Sequence, residues 1–168
     1  GGALLTVAHQ NIAFKAQGSD GFSTEIEGFL FDANGDTLTA FRSEHDGMGV
    51  FTLNPTVGNS YYVIAKSGDG ISKRFNLPAV EEKGITLSMT HYKKEIRYEI
   101  QKTEATEWPQ KLFLIAHTRG KLVILQPVSV DRTFGRMNDS LFNAGITHFM
   151  LIDQQGNALS ERLVFIPD

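Results

Sequence analysis

Cysteine is absent from the 168 residues. That removes disulfides, thiolate metal sites, cysteine nucleophiles and thioester chemistry from this segment. Long hydrophobic runs are absent too. No stretch approaches the ~20 apolar residues of a membrane-spanning helix, so direct membrane insertion of this segment is not expected, and none has the layout of a signal peptide. Charge of one sign is scarce, with a formal net charge of −3. Residues 1–80 carry 5 basic and 8 acidic side chains, and residues 81–168 carry 11 of each. Neither half has the concentrated basic patch that nucleic acid requires. Helical periodicity is missing as well: no window of about 12 residues places apolar side chains at i, i+3, i+4 and i+7.

Sequence motifs for catalysis are equally lacking. There is no Gly-x-Ser-x-Gly elbow. Gly68-Asp69-Gly70 lies between short strand signals with no helix to follow, which is the wrong context for a dinucleotide loop. His9, His91, His117 and His148 have no metal-ligand spacing. His45 and Asp46 are neighbours, and adjacent residues on a strand point to opposite faces. The Asp32-Ala33-Asn34-Gly35-Asp36 segment has oxygen-bearing side chains, but its glycine is misplaced for a calcium loop, so it reads as a hairpin turn. The expectation is a protein without catalytic residues, metal or cofactor.

β-Structure dominates what remains. Short apolar stretches recur between Gly, Asn, Asp and Pro. They place strands at Leu4–Val7, Ile12–Ala16, Thr24–Asp32, Thr37–Ser43, Gly49–Leu53, Ser60–Lys66 and Ser72–Asn76. A second series follows at Ile85–Thr90, Ile96–Gln101, Lys111–His117, Leu122–Val128, Ile146–Ile152 and Leu159–Ile166. Asn34-Gly35 signals a hairpin with positive φ at both central residues. The last two strands form another hairpin around Asp153-Gln154-Gln155-Gly156-Asn157. A short helical turn is expected near Asn138–Phe142, capped by Asn138 or Asp139 and ended by Gly145. Proline, charge and glycine interrupt the pattern at residues 77–84. The reading is therefore all-β, with two tandem immunoglobulin-like sandwiches over residues 1–80 and 84–168.

Three residues stand out for ligand or interdomain contact. Tyr92 and Trp108 are aromatic candidates for stacking on a sugar ring. Arg162, beside Glu161, is expected to pair with a carboxylate near a sheet edge or to dock a neighbouring domain.

The turn pattern also resembles a known family. The residues that carry it are Glu27-Gly28-Phe29-Leu30-Phe31-Asp32 with Asn34-Gly35, then Asp46-Gly47-Met48-Gly49 running into Val50–Leu53 and Asn54-Pro55. Gly58-Asn59-Ser60-Tyr61-Tyr62-Val63, Asn76-Leu77-Pro78 and the closing Glu161-Arg162-Leu163-Val164-Phe165 complete it. Over nearly the whole chain this resembles the macroglobulin-like domains of large Bacteroidetes-type envelope proteins, some of them associated with TonB-dependent receptors. The first half also resembles transthyretin-like regulatory domains of carboxypeptidases. The resemblance implies macroglobulin-like sandwiches and a non-catalytic structural or interaction role. It implies export to the periplasm or the outer membrane of a Gram-negative bacterium. Its implied partners are neighbouring domains of the same polypeptide or an envelope or outer-membrane protein. The chain opens on Gly1-Gly2-Ala3 without methionine, and the expectation is a piece of a longer protein whose export signal lies elsewhere. The alternative is a carbohydrate- or peptide-binding module using exposed aromatics or a sheet edge.

Overall fold

The computed structural model describes residues 3–167. Apart from one 3-10 turn, the regular structure of these residues is all strand. The chain divides into two compact units, Ala3–Glu81 and residues 82–167, each with its own hydrophobic core.

The first unit contains β1 (Leu4–Leu5), β2 (Gln10–Lys15), β3 (Ile26–Asp32), β4 (Thr37–Arg42), β5 (Met48–Leu53), β6 (Tyr61–Ser67), β7 (Ser72–Asn76) and β8 (Val80–Glu81). A two-stranded sheet, β2-β5, faces a four-stranded sheet in the order β4-β3-β6-β7. Strand period 2 decides what goes inside. In β5, Gly49, Phe51 and Leu53 are buried while Met48, Val50 and Thr52 are exposed. Leu30 is fully buried between the sheets, and Phe14 meets the edge of Phe41 with ring centroids 5.1 Å apart. β1 pairs in parallel with β8, Leu4 opposite Val80. The buried Gln10 side chain fixes β1 in place: its Oε1 accepts from the Leu5 N–H (2.9 Å) and its Nε2 donates to the Ala3 carbonyl (2.7 Å).

The second unit contains β9 (Ile85–Tyr92), β10 (Glu95–Lys102), β11 (Leu112–Thr118), β12 (Lys121–Val128), β13 (Phe134–Asn138), the 3-10 turn Asp139–Leu141, β14 (Gly145–Asp153) and β15 (Ala158–Ile166). Its sheets run β13-β10-β9 and β12-β11-β14-β15. Leu87, Ile96, Leu114, Phe149 and Leu151 are wholly buried between them. In both units the two facing sheets are thus antiparallel and packed around alternating inward side chains, the immunoglobulin-like arrangement. Asn138 caps the 3-10 turn, its side chain accepting from the Ser140 N–H.

The structure differs from the sequence expectation in three local respects. β8 lies inside the segment read as a break. β13, Phe134-Gly-Arg-Met-Asn138, carries no β-branched residue and no clear apolar alternation, and was not expected. Its Gly135 stands opposite Tyr98, where a Cβ would come within 2.6 Å of the tyrosine ring. Third, only Gly35 in the first hairpin has positive φ, 89°. The turn is organised by Asp32, whose Oδ1 accepts from the N–H groups of Asn34 (2.9 Å) and Asp36 (3.0 Å). Asp153 does the same for Gln155 (2.9 Å) and Asn157 (2.8 Å), with Gly156 at φ 85°. Each of these hairpins is a turn followed by a left-handed glycine, with a register shift in the strand before it.

Candidate functional site

The first unit has an open cleft of about 780 Å³ between its sheets. It exists because the β2-β5 sheet has two strands and the opposing sheet four. The inner face of β6 and β7 therefore extends past its cover. Phe41, Phe51 and Ala65 form a buried floor, while Phe22, Ile71 and Phe75 stand at the rim, 75%, 55% and 53% exposed. Lys15, Asp20, Asp69 and Lys73 surround the mouth. Both carboxylates are engaged by their own turns. Asp20 accepts from the Phe22 N–H (3.0 Å). Asp69 accepts from the Ser67 hydroxyl (2.5 Å) and the Ile71 N–H (3.2 Å), and these bonds hold its pKa below the usual carboxylate value. Among the described residues, neither Lys15 nor Lys73 has a carboxylate within ion-pair distance.

In the second unit the outer face of the β12-β11-β14-β15 sheet is apolar. A bulge at Ala116/His117 brings Leu122 opposite His117 and Leu125 opposite Ile115. Leu122, Leu125, Ile146, Leu163 and Phe165 are 56–67% exposed. A hydrogen-bonded string crosses this face. His148 Nε2 meets Glu161 Oε2 at 2.8 Å, and His148 Nδ1 meets His117 Nε2 at 3.1 Å. A carboxylate only accepts, so His148 donates from Nε2, and in the neutral ring its Nδ1 accepts from His117 Nε2. His117 Nδ1 is then a buried acceptor without a partner. No hydroxyl or thiol joins this string among the described residues, so it orders side chains without presenting a nucleophile. The described residues contain no group of three or more candidate metal ligands. Sequence reasoning missed the meeting of His117 and His148, because it follows from the β11–β14 register and no local signal encodes it.

The three residues singled out from the sequence lie apart on the second unit. Tyr92, 60% exposed at the end of β9, lines a hollow with Lys93, Glu95, Arg97 and Arg136. Trp108 is half-buried against the core, with the Lys102 ammonium 6.0 Å from its ring. Arg162 faces inward beside Phe149. Against expectation, among the described residues no carboxylate lies within ion-pair distance of it; its Nη1 donates to the Glu161 carbonyl (2.7 Å) and its Nη2 to Thr86 Oγ1 (3.2 Å). Alternation turns Arg162 to the opposite face from the Glu161 side chain, and β9 offers a hydroxyl at that point. Burial draws the guanidinium pKa down, against the opposing charge of Glu161. His45 and Asp46, expected to point apart on a strand, instead sit in the β4–β5 turn, where Asp46 has φ 48°; their side chains meet at 3.0 Å, both well exposed.

The sequence matches no family model and no curated protein. Solved structures give distant likenesses. The BSP domain of a biofilm associated protein aligns over 98% of this chain at 14% identity and a TM-score of 0.41. A two fibronectin type-III domain segment from chicken tenascin aligns over 96% of this chain and 94% of its own, at 8% identity and 0.35. The fibronectin(III)-like modules of Clostridium thermocellum CbhA align over 99% and 90%, at 12% and 0.31. This chain spans 28% of the length of the first of these. At such scores the fold assignment rests on the sheets themselves, and the sheets define an all-β protein of immunoglobulin-like sandwiches.

Proposed function

We propose that this chain is a non-catalytic interaction module, part of a larger exported envelope protein, that positions or docks neighbouring domains. The observation that carries this reading is the outward apolar face of the second unit. Leu163 and Phe165 are 67% and 66% exposed on β15, and Ile146, Leu122 and Leu125 continue the patch across the sheet. Scattered exposed apolar residues are ordinary, but a contiguous patch marks an interaction surface. Covering it would release about 25 cal/mol for each Å² of apolar surface removed from water. The His117–His148–Glu161 string gives the patch a polar centre that fixes the side chains presented to a partner.

The expected partners are neighbouring domains of the same polypeptide, or an envelope or outer-membrane protein. The macroglobulin-like resemblance supports placing the parent protein in the periplasm or at the outer membrane of a Gram-negative bacterium. Sequencing the ends of the native polypeptide, isolated from its cell envelope, tests this. A polypeptide with an export signal and further β-modules on both sides is the expected result. A native protein of these two units alone would remove the reason for a docking role.

A further inference from the structure

We infer that the hollow at the tip of the β9–β10 hairpin binds a carboxylated sugar of an acidic polysaccharide, with Tyr92 under the ring and Lys93, Lys94, Arg97 and Arg136 around the carboxylates. The hollow belongs to the β13-β10-β9 sheet of the second unit, and its role is independent of the docking face on the other sheet.

Four cationic side chains and one carboxylate line this hollow of about 600 Å³. The carboxylate, Glu95, accepts from Arg97 Nε (2.5 Å) and from Arg136 Nη1 (3.3 Å). Those bonds, the Arg97 one foremost, hold its pKa below the usual carboxylate value, so it is ionised and offsets one of the four cations. Two further carboxylates stand nearby. Asp139, whose N–H donates to the Lys94 carbonyl, has its carboxylate 3.0 Å from His91 Nε2. Glu99, two residues beyond Arg97, accepts from Gln101 (2.9 Å). Counting both as full anions still leaves the region positive.

The cations are placed at a cost to the fold. Arg97 stands directly opposite Arg136 in the β10–β13 register, and like charges in that position repel. Lys93 and Lys94 form the two-residue turn between Tyr92 and Glu95, where a glycine-containing pair is favoured, and Lys93 adopts φ 54°. Backbone strain of this kind clusters at functional sites. An anion seated here relieves the repulsion among the four cations.

The form of the anion follows from the groups around it. Arg97 and Arg136 are 64% and 78% exposed, and a guanidinium grips a carboxylate from solution through two parallel hydrogen bonds. Tyr92 is also well exposed, with the Lys93 ammonium 5.2 Å from its ring centroid. A pyranose lays its C–H face on such a ring while its carboxylate reaches the cation beside it. Four cations match a few carboxylates of a uronate chain and fall short of the roughly 6–10 phosphate contacts of a nucleic-acid track.

The test is calorimetric titration of the full chain with hexagalacturonate, its methyl ester, hexaglutamate and a thymidine hexanucleotide. Saturable binding of hexagalacturonate is expected, with each of the others weaker by about tenfold or more. Arg136→Gln should weaken it by about tenfold, the worth of a charge-assisted hydrogen bond. Tyr92→Ala should weaken it by about fivefold and leave hexaglutamate binding unchanged. Lys93→Gly suits the positive φ, so it should raise the melting temperature while weakening binding, which separates lost affinity from lost folding. No saturable binding at millimolar hexagalacturonate would overturn the proposal. So would equal affinity for the ester or hexaglutamate, tighter binding of the hexanucleotide, or affinity untouched by Arg136→Gln and Lys93→Gly. None of these outcomes bears on the docking face.

Discussion

Asp153 takes three hydrogen bonds from a single turn, two from the backbone N–H groups of Gln155 and Asn157 and one from the Asn157 side chain at 2.8 Å. The Asn157 side-chain bond is the main reason its pKa lies below the ordinary carboxylate value, backbone bonds adding to it. A depressed folded-state pKa favours the ionised form in the fold. Its contribution is present above the unfolded pKa and is lost as pH falls through the folded one. Thermal melts from neutral pH to about pH 2 should therefore show a shallower acid decline for Asp153→Asn than for the parent; superimposable profiles would refute the role. A second residue-level prediction contrasts two side chains that bridge β9 and β15. His91 Nδ1 faces the Phe165 carbonyl (3.2 Å) and its Nε2 faces Asp139 (3.0 Å). Both partners are acceptors, so the imidazolium satisfies both. His91→Ala strands them, and urea denaturation should show a loss of about 1–2 kcal/mol. Arg162→Met removes a half-buried charge that is paired with no carboxylate among the described residues, and should cost less than about 1 kcal/mol.

Strands with clean alternation are legible in the amino-acid sequence. β5 and β11 place every second residue in the core, and the terminal β14–β15 hairpin is written in its turn. β8 and β13 are not legible, since two residues carry no period and a glycine interrupts the other. Strand pairing is legible only where a hairpin joins neighbours. The open cleft of the first unit and the meeting of His117 with His148 both depend on pairings between segments distant in sequence, so the candidate sites are hidden while most of their strands are plain. Arg162 is visible as unusual, but its inward direction and its Thr86 partner follow from the β9–β15 approach. The elements also predict where a methyl group cannot go. A Cβ on Gly28 in β3 would lie 2.2 Å from the Ile64 carbonyl oxygen and 2.8 Å from the Phe41 ring. Gly28→Ala should cost about 3 kcal/mol by forcing β3 and β6 apart. Gly156→Ala meets open space and pays only for its positive φ, about 1–2 kcal/mol. Equal losses in denaturant melts would contradict this ordering.

Considered as a whole, the chain is two small sandwiches without disulfides, and each leaves apolar surface outside its core. A domain of this size buries only ~60% of its unfolded surface, so a large outward patch is costly unless something covers it. That is the physical ground for treating the chain as an interaction module. The residues that would do the work are exposed leucines, isoleucine and phenylalanine, types that sequence reading assigns to cores by default. The two units present different surfaces, an open cleft in one and an apolar sheet face in the other. The measurement closest to the central claim is hydroxyl-radical footprinting of Leu163 and Phe165, performed on this chain alone and on the native polypeptide. Strong protection of both residues in the native polypeptide, with Tyr92 unchanged, is the predicted result. Equal labelling of Leu163 and Phe165 in the two samples would contradict the account.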